Sequence, residues 1–144
     1  MPAHYDAPRV KPRVLETALY VDDLDRAGRF YGETLGLAPM TQDSRMWALD
    51  CGPSSVLLLF RRGGTLEKVE LPGGVIPSHD GAGPAHLAFA VAAEDMRAWE
   101  ARLAVRGVEI EGRMTWQRGG ESLYFRDPDD HLVELASPGI WANY

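Results

Sequence analysis

Residues 13–21, RVLETALYV, alternate large aliphatic side chains with small or polar ones, the two-residue period of a half-buried strand. Leu15, Thr17, Leu19 and Val21 fall on one face; Glu16, Ala18 and Tyr20 fall on the other. The period then lengthens. In DDLDRAGRFYGETLG, Leu24, Ala27, Phe30, Tyr31 and Leu35 recur at helical spacing, with Asp22 or Asp23 as N-cap and Gly36 as stop. Three short strand patterns follow, APMTQDS, RMWALD and SSVLLLF, divided by Gly, Pro and Asp turns. Residues 61–83 show no period and are rich in Gly and Pro, which predicts a binding loop or a linker between units.

The pattern then restarts. AHLAFAV predicts a strand, and AAEDMRAWEARLAVRG predicts a helix with Met96, Trp99, Leu103 and either Ala104 or Val105 on its apolar side, stopped by Gly107. VEIEGRMTW, ESLYFRDP and HLVELASP predict three more strands, with a turn at DPDD between the last two. Strand, helix and three strands thus occur twice, an internal duplication. Laid on its repeat, ETALYV falls on HLAFAV, so that Glu16 matches His86 and, at the end of each unit, Leu58 matches Glu134. The expected architecture is α+β. Two βαβββ modules form a curved mixed sheet around a metal or ligand cavity, with the helices outside. The boundaries are an N-terminal arm over 1–12 and one domain over 13–144, made of module 1 (13–62), linker (63–83), module 2 (84–138) and a short aromatic tail.

Composition narrows the partners more than the fold. The chain has 144 residues and a formal net charge of −6, with no basic cluster, which argues against nucleic acid. No apolar run reaches the roughly 18 residues of a membrane span, and the polar, Pro-rich start lacks a signal peptide's apolar core, so a cytoplasmic protein is expected. Cys51 is the only cysteine, which excludes an intramolecular disulfide and a thiolate cluster. It reads as a spectator beside a turn.

The chemistry lies on the strands' polar face. Glu16, His86 and Glu134 are ionisable residues at equivalent positions of otherwise apolar strands. If the modules pair about a pseudo-twofold axis, Glu16 and His86 meet near it. An unpaired buried carboxylate is costly, and two carboxylates together repel. A divalent cation removes both problems, and one imidazole with two carboxylates gives three protein ligands with open positions for water or substrate. His79 reads as a loop histidine with a possible part as extra ligand, acid/base group or gate. Tyr124 shares the cavity face by alternation, and Trp47 and Trp116 suit core or pocket wall. Arg61, Arg62 and Arg118 read as solvated charge.

On ETALYVDDLDRAGRFYGETLGL, PAHLAFAV and YFRDPDDHLVELASP, the chain resembles the vicinal oxygen chelate superfamily, the group of glyoxalases, extradiol dioxygenases, and fosfomycin- and bleomycin-resistance proteins. The likeness covers about residues 13–138. It implies a metal enzyme (Fe, Mn, Ni or Zn) that chelates a small oxygenated substrate, with lyase, isomerase or dioxygenase chemistry, in a homodimer. The family's four ligand positions map to Glu16, Leu58, His86 and Glu134. Leu58 cannot ligate, which leaves metal ligands Glu16, His86 and Glu134; Glu16, His79 and Tyr124 are the candidate catalytic groups. Glu16 also stands where the three-ligand branches usually carry His. The alternative is a metal-free protein that sequesters an aromatic drug or metabolite.

Overall fold

The computed structural model describes residues 8–144, so most of the expected N-terminal arm lies outside the described residues. Each module folds in the order its periodicity sets. Module 1 runs β1 (Glu16–Val21), α1 (Leu24–Leu35), β2 (Pro39–Gln42), β3 (Met46–Asp50) and β4 (Val56–Arg61). A hairpin of β5 (Val69–Leu71) and β6 (Gly74–Ile76) follows. Module 2 runs β7 (His86–Ala90), α2 (Met96–Val105), β8 (Gly112–Thr115), β9 (Glu121–Arg126) and β10 (Leu132–Ala136). The sheets are ordered β1-β4-β3-β2 and β7-β10-β9-β8, so in each the first strand lies parallel to the last. Ala18 pairs with Leu58 and Ala88 with Glu134, which gives the duplication a matching register.

Helix α1 shows why these residues stop and start where they do. Asp23 is extended and its carboxylate accepts from the Arg26 N–H at 3.0 Å, while Gly36 adopts φ +75° and returns its N–H to the Gly32 carbonyl. Leu24, Ala27, Tyr31 and Leu35 are buried. They join Leu19, Val21, Leu57 and Leu59 of the first sheet and Leu123, Phe125, Val133 and Leu135 of the second in one core. The odd-numbered faces of both sheets therefore meet the helices in a shared core, and the even-numbered faces turn away from it.

Buried polar contacts join the modules. The Tyr31 hydroxyl donates to Asp127 Oδ2 at 2.7 Å, and the Asp22 N–H donates to Asp129 Oδ1 at 2.8 Å. His131, which is 1% exposed, accepts from the Ala85 N–H at Nδ1 (2.8 Å) and donates from Nε2 to the Tyr20 carbonyl (2.8 Å). The two backbone partners fix its tautomer and tie β1 to the start of β7.

The differences from expectation are local. Residues 13–15 precede the first strand, and Val14 and Leu15 are exposed. The last strand-like stretch before Trp116 narrows to β8. The stretch 61–83 is not structureless: it holds the β5–β6 hairpin, whose three-residue strands are too short to display a period. Val105 and Ala104 are exposed, so α2 buries only Met96 and Leu103. Among the described residues no helix is long and apolar enough to cross a membrane.

Candidate metal and substrate site

The even face of the second sheet carries His86, Ala88 and Ala90 from β7, Glu134 and Ala136 from β10, and Ser122 and Tyr124 from β9. Small residues flank Glu134 and leave space above the sheet. It is nevertheless buried, at 7% residue exposure. A carboxylate in that position needs partners.

The partners are set in a line. The Trp116 indole N–H donates to Ser122 Oγ at 2.8 Å. Ser122 therefore has its own hydroxyl proton free, and donates it to Glu134 Oε2 at 2.5 Å. On the far side, His86 Nδ1 lies 2.9 Å from the Leu132 carbonyl, which only accepts, so Nδ1 carries the hydrogen. In the neutral ring, Nε2 then presents a lone pair to Glu134 Oε1 at 3.2 Å. Two acceptors face each other at that point, and a proton or a cation must lie between or beside them. Tyr124 stands next to the pair, its ring centroid 6.4 Å from that of His86. Burial first, and the Glu134 charge second, push the Tyr124 phenol above its ordinary pKa.

A cavity of about 480 Å³ opens over these residues, walled by Trp116, Tyr124, Trp141 and Tyr144. The tail that supplies the last two is held by backbone contacts. Gly120 N–H donates to the Gly139 carbonyl at 3.1 Å, Gly139 N–H to the Tyr144 carbonyl at 3.0 Å, and the Tyr144 hydroxyl to the Ala136 carbonyl at 2.8 Å. Gly139 has φ +109°, and a Cβ there would lie 2.5 Å from the Gly120 nitrogen; a Cβ on Gly120 would lie 2.8 Å from the Gly139 carbonyl carbon. Only paired glycines let the tail lie this close to the β8–β9 turn.

The structure brings His86, Glu134 and Tyr124 into one cavity. Glu16 is exposed at the start of β1, paired with Val56, on the even face of the other sheet. Among the described residues, no three His, Cys, Asp or Glu side chains gather to hold a metal ion within the chain. His79 lies with Tyr20: the Tyr20 hydroxyl contacts His79 Nδ1, and Thr65 bonds to both the Tyr20 hydroxyl and the His79 carbonyl. It thereby pins the linker over β1, away from the His86 cavity. Trp47 is a packing residue, since a Cβ on Gly28 would collide with its indole. Cys51 is half-buried, and burial pushes its thiol pKa up, toward inertness. Ser122, Trp141 and Tyr144 were not singled out by sequence reasoning. Alternation along ESLYF, which sets Ser122 on the Tyr124 face, was the available signal for the first.

Residues 13–135 match the model of the Glyoxalase/Bleomycin resistance protein/Dioxygenase superfamily. The chain belongs to that family. It is 32% identical over 120 residues to glutathione transferase FosA of Serratia marcescens, covering 81% of this chain and 74% of that protein. Over a shorter stretch of 57 residues it is 37% identical to metallothiol transferase FosB of Bacillus licheniformis, 39% of this chain and 37% of that one's length. In structure it is similar to lactoylglutathione lyase from Agrobacterium tumefaciens, with a TM-score of 0.81 and 29% identity over 95% of this chain and 99% of that one.

Proposed function

We propose that the chain is a divalent-metal enzyme that takes a small substrate through two adjacent oxygens, with His86 and Glu134 of one chain and Glu16 of a second copy as protein ligands. One observation carries this reading: His86 Nε2 and Glu134 Oε1 face each other 3.2 Å apart in the cavity wall, an arrangement that a cation satisfies. The donor set of one imidazole and carboxylates suits Fe²⁺, Mn²⁺, Ni²⁺ or Zn²⁺. When bound, the ion would supply Lewis-acid stabilisation of negative charge developing on the substrate.

The remaining work belongs to the chain. Ser122 and Leu132 hold the two ligands in orientation, Ala88 and Ala90 leave room for the substrate, and the Tyr124 phenol faces the cavity as proton donor. The second copy is supported by the layout of the sheets. Glu16 lies on an even face turned away from the shared core, as His86 does, and the β5–β6 hairpin that follows β4 exposes Leu71, Val75 and Ile76. Two relatives are named for glutathione chemistry, a transferase and a lyase, which favours thiol addition or elimination over ring-cleaving oxygenation. We assign the enzyme to the cytoplasm.

The test is metal uptake by untagged protein, titrated calorimetrically with Mn²⁺, Fe²⁺ under argon, Ni²⁺ and Zn²⁺. One ion per chain is expected, with loss of binding in Glu134→Ala. No uptake of any ion, or unchanged uptake in Glu134→Ala, overturns the reading. The aromatic cavity favours a second one in that event, a metal-free binding protein of the bleomycin-resistance kind.

A further inference from the structure

We infer that the substrate carries a flat aromatic body, held between Trp116 and the C-terminal Trp141–Tyr144 turn, and has no phosphate, phosphonate or carboxylate anchor. The inference rests on the proposed site in one respect: the substrate's oxygen end is assigned to His86 and Glu134.

Three observations carry it. The first is the wall. Trp116, Tyr124, Trp141 and Tyr144 present four rings around one cavity, and Phe89 and Ile140 complete its apolar lining. Rings attract rings in offset or edge-on geometry beyond what burial alone gives. Trp141 is 69% exposed in the chain as it stands, so a large apolar face is unpartnered beside the metal-binding pair.

The second is charge. No Lys or Arg is among the residues lining the cavity, and its one acidic side chain is Glu134. An anionic headgroup bound at the far end of such a cavity would lose its hydration and find no cation in return. A neutral ring system loses little hydration and gains the walls. The volume of about 480 Å³ is within the range that takes a one- or two-ring molecule.

The third is construction. The tail's position is fixed by the Gly120–Gly139 backbone contact and by the Tyr144 hydroxyl bond to Ala136, so Trp141 is presented by a braced turn and not by a free end. Trp116 serves both halves of the site: it lines the cavity while its N–H orients Ser122 toward Glu134. Occupancy by a ring and orientation of the carboxylate are thereby coupled through one side chain.

The experiment is isothermal titration calorimetry on the full chain, metal-free and Mn²⁺-loaded, with three probes: 2,3-dihydroxynaphthalene, 1,2-propanediol and methylphosphonate. Dihydroxynaphthalene is expected to bind at least tenfold more tightly than either of the others. Trp141→Ala should weaken it about tenfold and Trp141→Phe by less than threefold, with thermal unfolding confirming that each variant folds. Gly139→Ala, which keeps the ring but displaces its turn, should weaken binding as Trp141→Ala does. Tighter binding of methylphosphonate, or unaltered binding by Trp141→Ala, overturns the inference. Dihydroxynaphthalene binding by a protein that takes up no Mn²⁺ removes the metal reading and upholds the aromatic one. Mn²⁺ uptake without preference among the probes does the reverse.

Discussion

Ser122 has one proton to give, and the Trp116 indole N–H that occupies its lone pair leaves Glu134 as the recipient. Ser122→Ala takes a donor from a carboxylate that is 7% exposed without touching a ligand atom. The expected result is metal affinity lower by about 10–100-fold, as for other partners of metal ligands, measured by Mn²⁺ titration. Ser122→Thr, which keeps the hydroxyl, should recover most of it. The proposed ligands stand out in the sequence because an ionisable residue is conspicuous in an apolar alternating strand; Glu134 between Val133 and Leu135 is the clearest case. Ser122 and Trp141 were not, because a serine in a strand and a tryptophan in a tail carry no such contrast. Their roles arise from cross-strand register and from a backbone contact between glycines nineteen residues apart in sequence.

At the scale of elements, α1 reads directly from its spacing and caps, and it also bears a bond that is sensitive to alkali. Tyr31 is fully buried, and desolvation, then the Asp127 charge, raise its pKa well above the ordinary value of about 10. A phenol whose folded pKa exceeds its unfolded one contributes stability that is complete below pH about 10 and is lost as the pH climbs past it. Tyr31→Phe should destabilise the fold by about 1–3 kcal/mol at neutral pH, since it leaves Asp127 Oδ2 without its donor. The variant should also lose less stability than wild type between neutral pH and strong alkali. Urea unfolding across that range measures both effects. The β5–β6 hairpin marks where element reading stops: its three-residue strands offer a single repeat of a two-residue period, so Leu-Pro-Gly-Gly was the only visible sign, and that sign equally marks a loop.

Across the whole molecule, the repeat and the α+β class were visible because the same sequence of periods occurs twice. How the halves sit was not, since strand alternation says which residues share a face but not what that face meets. Contacts between the modules hold it here, among them Tyr31 with Asp127, an aspartate of the expected DPDD turn, and His131, read as the start of the last strand, with Tyr20 and Ala85. His131→Leu should cost about 2–5 kcal/mol, because two backbone groups lose their partner at once, read as a lower urea midpoint. The pairing of faces between copies has its own test. Chains carrying Glu16→Ala and Glu134→Ala, each inert alone, are mixed under conditions that exchange subunits. Randomly formed dimers should recover about a quarter of the wild-type metal sites if each site draws on both chains, and none if each chain completes its own.

Leu58 stands opposite Ala18 as Glu134 stands opposite Ala88, and that difference gives the site a direction. Two identical modules would offer a substrate equivalent ends, related by rotation, and let it bind either way round. With an aliphatic side chain at one end and a carboxylate at the other, the two orientations differ in energy. A substrate with two similar reactive ends is then held one way round, so isotopic labelling of one end should show reaction at a single end.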